Sequence, residues 1–295
     1  MDPIILGDNQ FFGVSHMSEE KGMARARRFQ DINAIIDILD MAYENGIHAF
    51  TFSTHDRVQQ ICDHFRANPQ KYSDLRLYPV LPYAQKYAHL VNEKGIVGAM
   101  KQVVMADSTA AQMASMIARG GAAVLKQDPM QIMKLLIDAE MKMFRDLTVE
   151  VVFLQNNVAD LLLGFGIKDI FTEFVTYVEQ KYKVRAGFMT LNMPSLVDFL
   201  LRCGIEDPVV CAAINKLGFQ MNPDIASYEE TLKSKPFQSL AMSIMAAGAV
   251  PPREAIEYVA SFKNIKSILF GASTEVHIRQ TKELIEKIAK LQVVT

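Results

Sequence analysis

The stretch HAFTFSTHDRV alternates apolar and small residues and then releases two titratable side chains in succession, His55 and Asp56. An imidazole held by a carboxylate exchanges protons near neutral pH and can act as general acid or base. His16, in FFGVSHM, follows the first apolar run of the chain, and Tyr83 and Lys86, in LPYAQKY, follow the third. A phenol with an ammonium close by is a second arrangement able to deliver a proton. The structural alternative stands beside each of these: His55 caps the next helix, and His16 hydrogen-bonds a loop. Asp8, His16 and His55 together have the chemistry of a zinc or iron site. The sequence has no HxH, HExxH or CxxC spacing, so no metal is expected. A serine nucleophile is not expected either, because GxSxG is absent.

A different chemistry is written in IKSILFGASTEVHIRQ. An apolar run passes through Gly271, Ala272, Ser273 and Thr274 into a charged helical pattern. Backbone N–H groups at the start of a helix favour an anion, phosphate above all. Ser243 ends the preceding apolar run, and Arg279, one helical turn in, is the candidate cation, with His277 near it. Small residues at such a turn also let a helix pack closely on its strand, and Arg279 can equally be a solvated face.

The elements that must position these groups are short strands alternating with amphipathic helices. Strands are expected at 3–7, 48–53, 75–81, 149–155, 184–190, 209–215, 239–244 and 267–271. Between them lie patterns such as DINAIIDILDMAYENG, with Asp31 as N-cap and Gly46 just past the end. IKDIFTEFVTYVEQKY brings Ile170, Phe174, Val175 and Val178 round at helical spacing. Eight such units over 295 residues match a single α/β domain, residues 1–295, folded as a (β/α)8 TIM barrel. No GxGxxG follows the first strand, which argues against an open dinucleotide-binding sheet. Residues 87–147 are expected to form a helical insertion between strands three and four, since extra helical patterns crowd that interval.

In this fold, chemistry gathers at the C-terminal ends of the strands, where the βα loops meet. Those ends supply Asp8, Asn9, Thr51, Ser53, Gln155, Asn156, Asn192 and Asn215, a rim of amides and hydroxyls suited to orienting a small polar ligand. Net charge is −2, with no basic tract, so nucleic acid is not an expected partner. No uninterrupted apolar run approaches the ~20 residues of a membrane span. The N-terminus has no signal-peptide pattern, and Cys62, Cys203 and Cys211 form no framework, so a cytoplasmic protein with inert thiols is expected.

The last quarter, LAMSIMAAGAVPPREAIEYVASFKNIKSILFGASTEVHIRQTKELIEKI, resembles the seventh and eighth βα units of aldo-keto reductases. YKVRAGFMTLNMPSL is similar to that family's fifth strand, with Thr190 and Asn192 near its Ser-Asn pair, and IILGDNQFFG is loosely similar to its first. The resemblance implies a TIM barrel whose last two turns hold the phosphates of NADP(H). It also implies a tetrad of Asp, Tyr, Lys and His, and here the sequence departs. The four positions fall on Thr51, near Asp56, within Leu81-Pro82-Tyr83 and on Gln155, so none of the four types is kept in place. Three readings follow. The first is an NADP(H)-dependent oxidoreductase on a small polar metabolite with a rearranged proton donor, Tyr83 or His55. The second is a non-redox lyase or isomerase acting on a phosphorylated or anionic small molecule. The third is a non-catalytic binding protein on a retired reductase barrel.

Overall fold

A computed structural model describes residues 1–12, 19–83 and 129–289. All eight expected strands are present: β1 (Ile4–Leu6), β2 (Ala49–Ser53), β3 (Arg76–Leu81), β4 (Val151–Leu154), β5 (Arg185–Thr190), β6 (Val209–Ala213), β7 (Gln238–Met242) and β8 (Ile265–Phe270). They pair in chain order, all parallel, and β1 closes the ring by pairing with β8.

The helices among the described residues are α1 (Glu19–Arg28), α2 (Ile32–Glu44), α3 (Val58–Ala67), α4 (Pro129–Met141), α5 (Asn156–Phe165), α6 (Lys168–Tyr182), α7 (Met193–Arg202), α8 (Ile225–Ser234), α9 (Pro252–Ala260) and α10 (Glu275–Ala289). Helix α2 starts where its cap demands: the Asp31 carboxylate accepts the Asn33 N–H, and Gly46 follows the last turn at φ 81°. The crossover from β4 to β5 carries two helices, divided at Gly166 in the left-handed region at φ 65°. Most of the expected insertion, 87–128, lies outside the described residues. Its last part is α4, followed by a 3-10 turn at Lys142–Phe144.

Side-chain alternation along the strands makes two cores. Ile5, Ala49, Tyr78, Val80, Val151, Phe153, Val209, Cys211 and Leu240 fill the inside of the ring. The opposite faces of the strands pack against the helices, for example Phe50 and Phe52 of β2 with Phe65 of α3. The interior is therefore plugged rather than open, and ligand chemistry is confined to the rim.

The lower end is sealed by the N-terminus. Asp2 accepts the Tyr78 hydroxyl at 2.5 Å and pairs with the Arg76 guanidinium at 2.5 Å, while its carbonyl accepts the Ser267 hydroxyl at 2.5 Å. One residue thus ties β3 to β8 across the floor.

Within the ring, Phe153 finds room because its neighbour on β5 has no side chain. A Cβ on Gly187 would stand 2.6 Å from Phe153 Cε1 and 2.9 Å from Val151 Cγ1. Gly187→Ala is therefore expected to destabilise the barrel by about 1–3 kcal/mol, the usual cost of overpacking. Urea unfolding should show a lower midpoint at unchanged slope. An unchanged midpoint would mean that Phe153 swings aside without strain.

Candidate active site at the mouth of the barrel

The exits of β1, β2 and β3 bring acid–base groups together. Asp8 follows β1 by two residues and is 6% exposed. Its Oδ2 accepts the Ser53 N–H at 2.7 Å at the end of β2. Among the described residues no basic side chain pairs with it. Burial pushes its carboxyl up from 3.8 to about 6, against the lowering effect of the Ser53 bonds. Asp8 is expected from the sequence to orient a ligand, and its buried setting also raises its proton affinity.

Tyr83 feels the charge of this carboxylate, and His55 follows its partner Ser53 by two residues. The Phe12 ring stacks on His55 at 4.6 Å between centroids, and Tyr83 lies against the other ring at 5.9 Å, tilted by 57°. Nδ1 of His55 accepts the Arg57 N–H at 3.2 Å, which directs the ring and leaves Nε2 as the nitrogen turned away from its own loop. Burial raises the Tyr83 phenol above its ordinary range, and the negative charges of Asp8 and Asp56 raise it further. Those couplings place both carboxylates near Tyr83. Asp56 itself is exposed. His16 and Lys86 lie outside the described residues.

The expected substrate-orienting residues divide into two groups. Ser53 and Gln155 remain at the mouth: Ser53 is half-buried beside Asp8, and Gln155 is 6% exposed at the head of α5. Asn9 is exposed, and Asn156 opens α5. The others are occupied within the protein. The Thr51 hydroxyl donates to the Tyr78 carbonyl at 2.7 Å. Asn192 is the N-cap of α7, accepting the Ser195 N–H at 3.4 Å, and lines a groove of about 700 Å³ between α5 and α7. Asn215, fully buried, accepts the N–H groups of Leu217 and Phe219 and donates to the carbonyls of Phe219 and Ser243. Its amide has no capacity left for a ligand.

The second half of the mouth is the turn after β8. Thr274 caps α10, its hydroxyl accepting the His277 N–H at 3.3 Å. The N–H groups of Thr274, Glu275 and Val276 find no acceptor among the described residues. Gly271 gives way to Gln10, whose Oε1 stands 2.5 Å from where a Cβ would be. Arg28, at the end of α1, donates to the Ser273 carbonyl at 2.6 Å and approaches its hydroxyl at 3.4 Å. The cation at this turn is therefore Arg28, while Arg279 is exposed on α10 with no bond to the turn. Ser243, directly after β7, lies in the left-handed region at φ 52°.

Four residues at this mouth escaped the sequence: Gln10, Phe12, Arg28 and Glu140. Gln10 had a signal, since it directly follows Asp8 and Asn9. Glu140 had a weaker one, as a carboxylate on the apolar side of a helical pattern. Nothing local marks Arg28, which reaches the site across 245 residues of chain.

Among the described residues, no three His, Cys, Asp or Glu side chains converge as a metal site, and no helix is long and apolar enough to cross a membrane. Cys62 and Cys211 are buried, and burial pushes the Cys62 thiol up to about 12, far from thiolate chemistry.

The raised Asp8 carboxyl has a consequence for stability. A folded-state pKa of about 6 against an ordinary 3.8 means that the folded protein holds the proton more tightly, so stability falls as pH rises through that interval. Asp8→Asn keeps an acceptor for the Ser53 N–H and removes the buried charge. It is expected to be more stable than wild type by about 3 kcal/mol at pH 8, with the difference closing by pH 4. Thermal unfolding across pH reads this directly, and parallel curves for the two proteins would refute the burial argument.

Neither a protein-family model nor a curated protein matches the sequence. Solved structures do match it in shape. A candidate aldo-keto reductase of Pseudomonas aeruginosa superposes with TM-score 0.57 at 14% identity, covering 98% of this chain and 91% of that one. An aldo-keto reductase of the silkworm Bombyx mori gives 0.52 at 12% identity, over 98% and 83% of the two chains. One from Brucella melitensis gives 0.50 at 10% identity, over 98% and 93%. At these identities the likeness is one of fold: the chain is a TIM barrel similar in shape to those of aldo-keto reductases.

Proposed function

We propose that the chain is an NADP(H)-linked oxidoreductase acting on a small polar carbonyl metabolite, with the proton supplied from the β1–β3 rim. The observation that carries the reading is Asp8, a buried carboxylate at the mouth with its pKa near 6 and no cation bonded to it among the described residues. The tetrad of the resembling family cannot serve, because Thr51 and Gln155 do not titrate and the Thr51 hydroxyl is occupied by Tyr78. Asp8 takes over the proton donation. Near neutral pH it exchanges protons readily, which suits a general acid in carbonyl reduction and a general base in the reverse direction. Tyr83, raised by burial and by Asp8 and Asp56, keeps its proton at neutral pH and can hydrogen-bond the substrate oxygen. His55 and Phe12 form the apolar wall beside them, and the imidazole can relay protons to solvent.

The turn after β8 fits a phosphate. Three N–H groups that find no acceptor among the described residues, the α10 dipole and the Arg28 guanidinium converge there. Glu275 in the first turn opposes this in part. When bound, the nicotinamide would supply the hydride that the chain's own residues lack.

A non-redox proton transfer on a phosphorylated metabolite is the second reading, favoured by the same Asp8, which needs no nicotinamide to move a proton. The chain contains no tryptophan, so NADPH emission can be followed directly as protein is added. Saturable binding is expected, weakened about tenfold in Arg28→Ala, the equivalent of roughly 1.4 kcal/mol from one charge-assisted contact. Failure to bind at millimolar NADPH, with turnover of a phosphorylated substrate in its absence, would replace the first reading by the second.

A further inference from the structure

Helix α4 presents one glutamate to the underside of the mouth. Glu140 is 3% exposed. Both of its carboxylate oxygens lie 3.2 Å from the Tyr83 backbone nitrogen. Oε2 also accepts a short hydrogen bond from the Thr54 hydroxyl. Thr54, itself fully buried, immediately precedes His55. One carboxylate therefore joins the exit of β2 to the exit of β3, and each exit carries one of the two rings that meet at 5.9 Å.

The chemistry of this arrangement is specific. A buried carboxylate is costly and is poor evidence of a stabilising role, because an apolar side chain of similar volume often serves stability as well or better. What a carboxylate adds is two strong acceptors on one rigid plane, able to hold a backbone N–H and a hydroxyl in fixed relation. Neither Thr54 nor Tyr83 can shift along its strand exit without lengthening one of those bonds.

We infer that Glu140 is a positioning residue, setting the distance and tilt between His55 and Tyr83 through the Thr54 hydroxyl and the Tyr83 amide. This rests on the reading above, in which those two rings line the substrate. Glu140 takes no part in the proton transfer itself.

The test compares wild type with Glu140→Ala, Glu140→Gln and Thr54→Val. Turnover kinetics are measured alongside the His55 imidazole resonances, assigned by their loss in His55→Gln. Glu140→Ala should lower kcat about 100-fold, the scale of a displacement near 1 Å, while KM stays within a few-fold. It should also move the His55 resonances as the Tyr83 ring shifts. Glu140→Gln keeps an oxygen for the Tyr83 N–H, and its amide can donate to the Thr54 hydroxyl, so both the kinetics and the resonances should return most of the way to wild type. A purely structural glutamate would lower the melting temperature of both variants and leave the kcat of the folded protein alone. The inference is overturned if folded Glu140→Ala keeps wild-type kcat and wild-type His55 resonances. Should that variant fail to fold, Thr54→Val removes one tether only, and unshifted His55 resonances there overturn it equally. If wild type turns over no carbonyl substrate, the proposed function fails, and the resonances still decide the role of Glu140.

Discussion

The ring closes on its shortest strand, and the chemistry at the mouth follows from that closure. β1 has three residues, all in register with β8, and the Gly7 N–H continues that ladder to the Phe270 carbonyl at 2.9 Å. Toward β2 its pairing reduces to Leu6 with Phe50, whereas β2 matches β3 over five positions. The β1 backbone therefore leaves β2 before β2 has ended, and the Ser53 N–H needs an acceptor from elsewhere. The Asp8 side chain supplies it. A buried N–H without a partner is costly, so the carboxylate is drawn inside the rim, where desolvation raises its pKa. A gap in a β-ladder and an acid–base group are here the same feature.

The opposite side of the mouth is held by geometry of another kind. The turn after β7 places Ser243, Ala246 and Ala247 in the left-handed region, at φ 52°, 45° and 58°. Residues with a Cβ adopt that conformation at a cost of order 1–2 kcal/mol each. The surroundings over-determine it: Ile244 and Ala246 are buried, and the Ser243 carbonyl accepts the Asn215 amide. Asn215 thus steadies its own loop and the neighbouring one in a single set of bonds. The turn after β8, with three amides that find no acceptor among the described residues, therefore sits beside a strained and well-packed neighbour.

Strand positions and the barrel were legible because period-2 alternation and apolar runs are local properties. The Asp31 cap and the Gly46 stop on α2 were legible for the same reason. Some of the site was legible too: the strand-end rule placed Asp8, Ser53, His55 and Tyr83 at one mouth. What it could not read was the direction in which a polar side chain spends its hydrogen bonds. An asparagine at a strand end looks the same whether it faces a ligand, as expected of Asn192 and Asn215, or caps a helix and pins a loop, as both do. Arg28 and Glu140 were hidden by distance along the chain. The one contacts a turn near the other terminus, and the other reaches back 86 residues to Thr54 and 57 to Tyr83.

The retired-barrel reading meets its main difficulty in the energetics of the rim. A scaffold kept only for assembly gains nothing from a carboxylate in a desolvated site. Neutral side chains of the same shape can satisfy the Ser53 N–H, and they would fold to a more stable protein at physiological pH. Glu140 poses the same difficulty, since a buried carboxylate holding one amide and one hydroxyl can give way to a neutral amide with little loss of geometry. Asp8 at the exit of β1 and Glu140 reaching from α4 to the exits of β2 and β3, with an arginine at the turn after β8, set carboxylates on one side of the mouth and a cation on the other. That separation is what a ligand with an anionic tail and a proton-accepting head would require. The tetrad of the resembling family is absent, yet titratable groups still stand at the mouth. On the proposed reading the acid stands at the exit of β1, where the closure of the ring buries it.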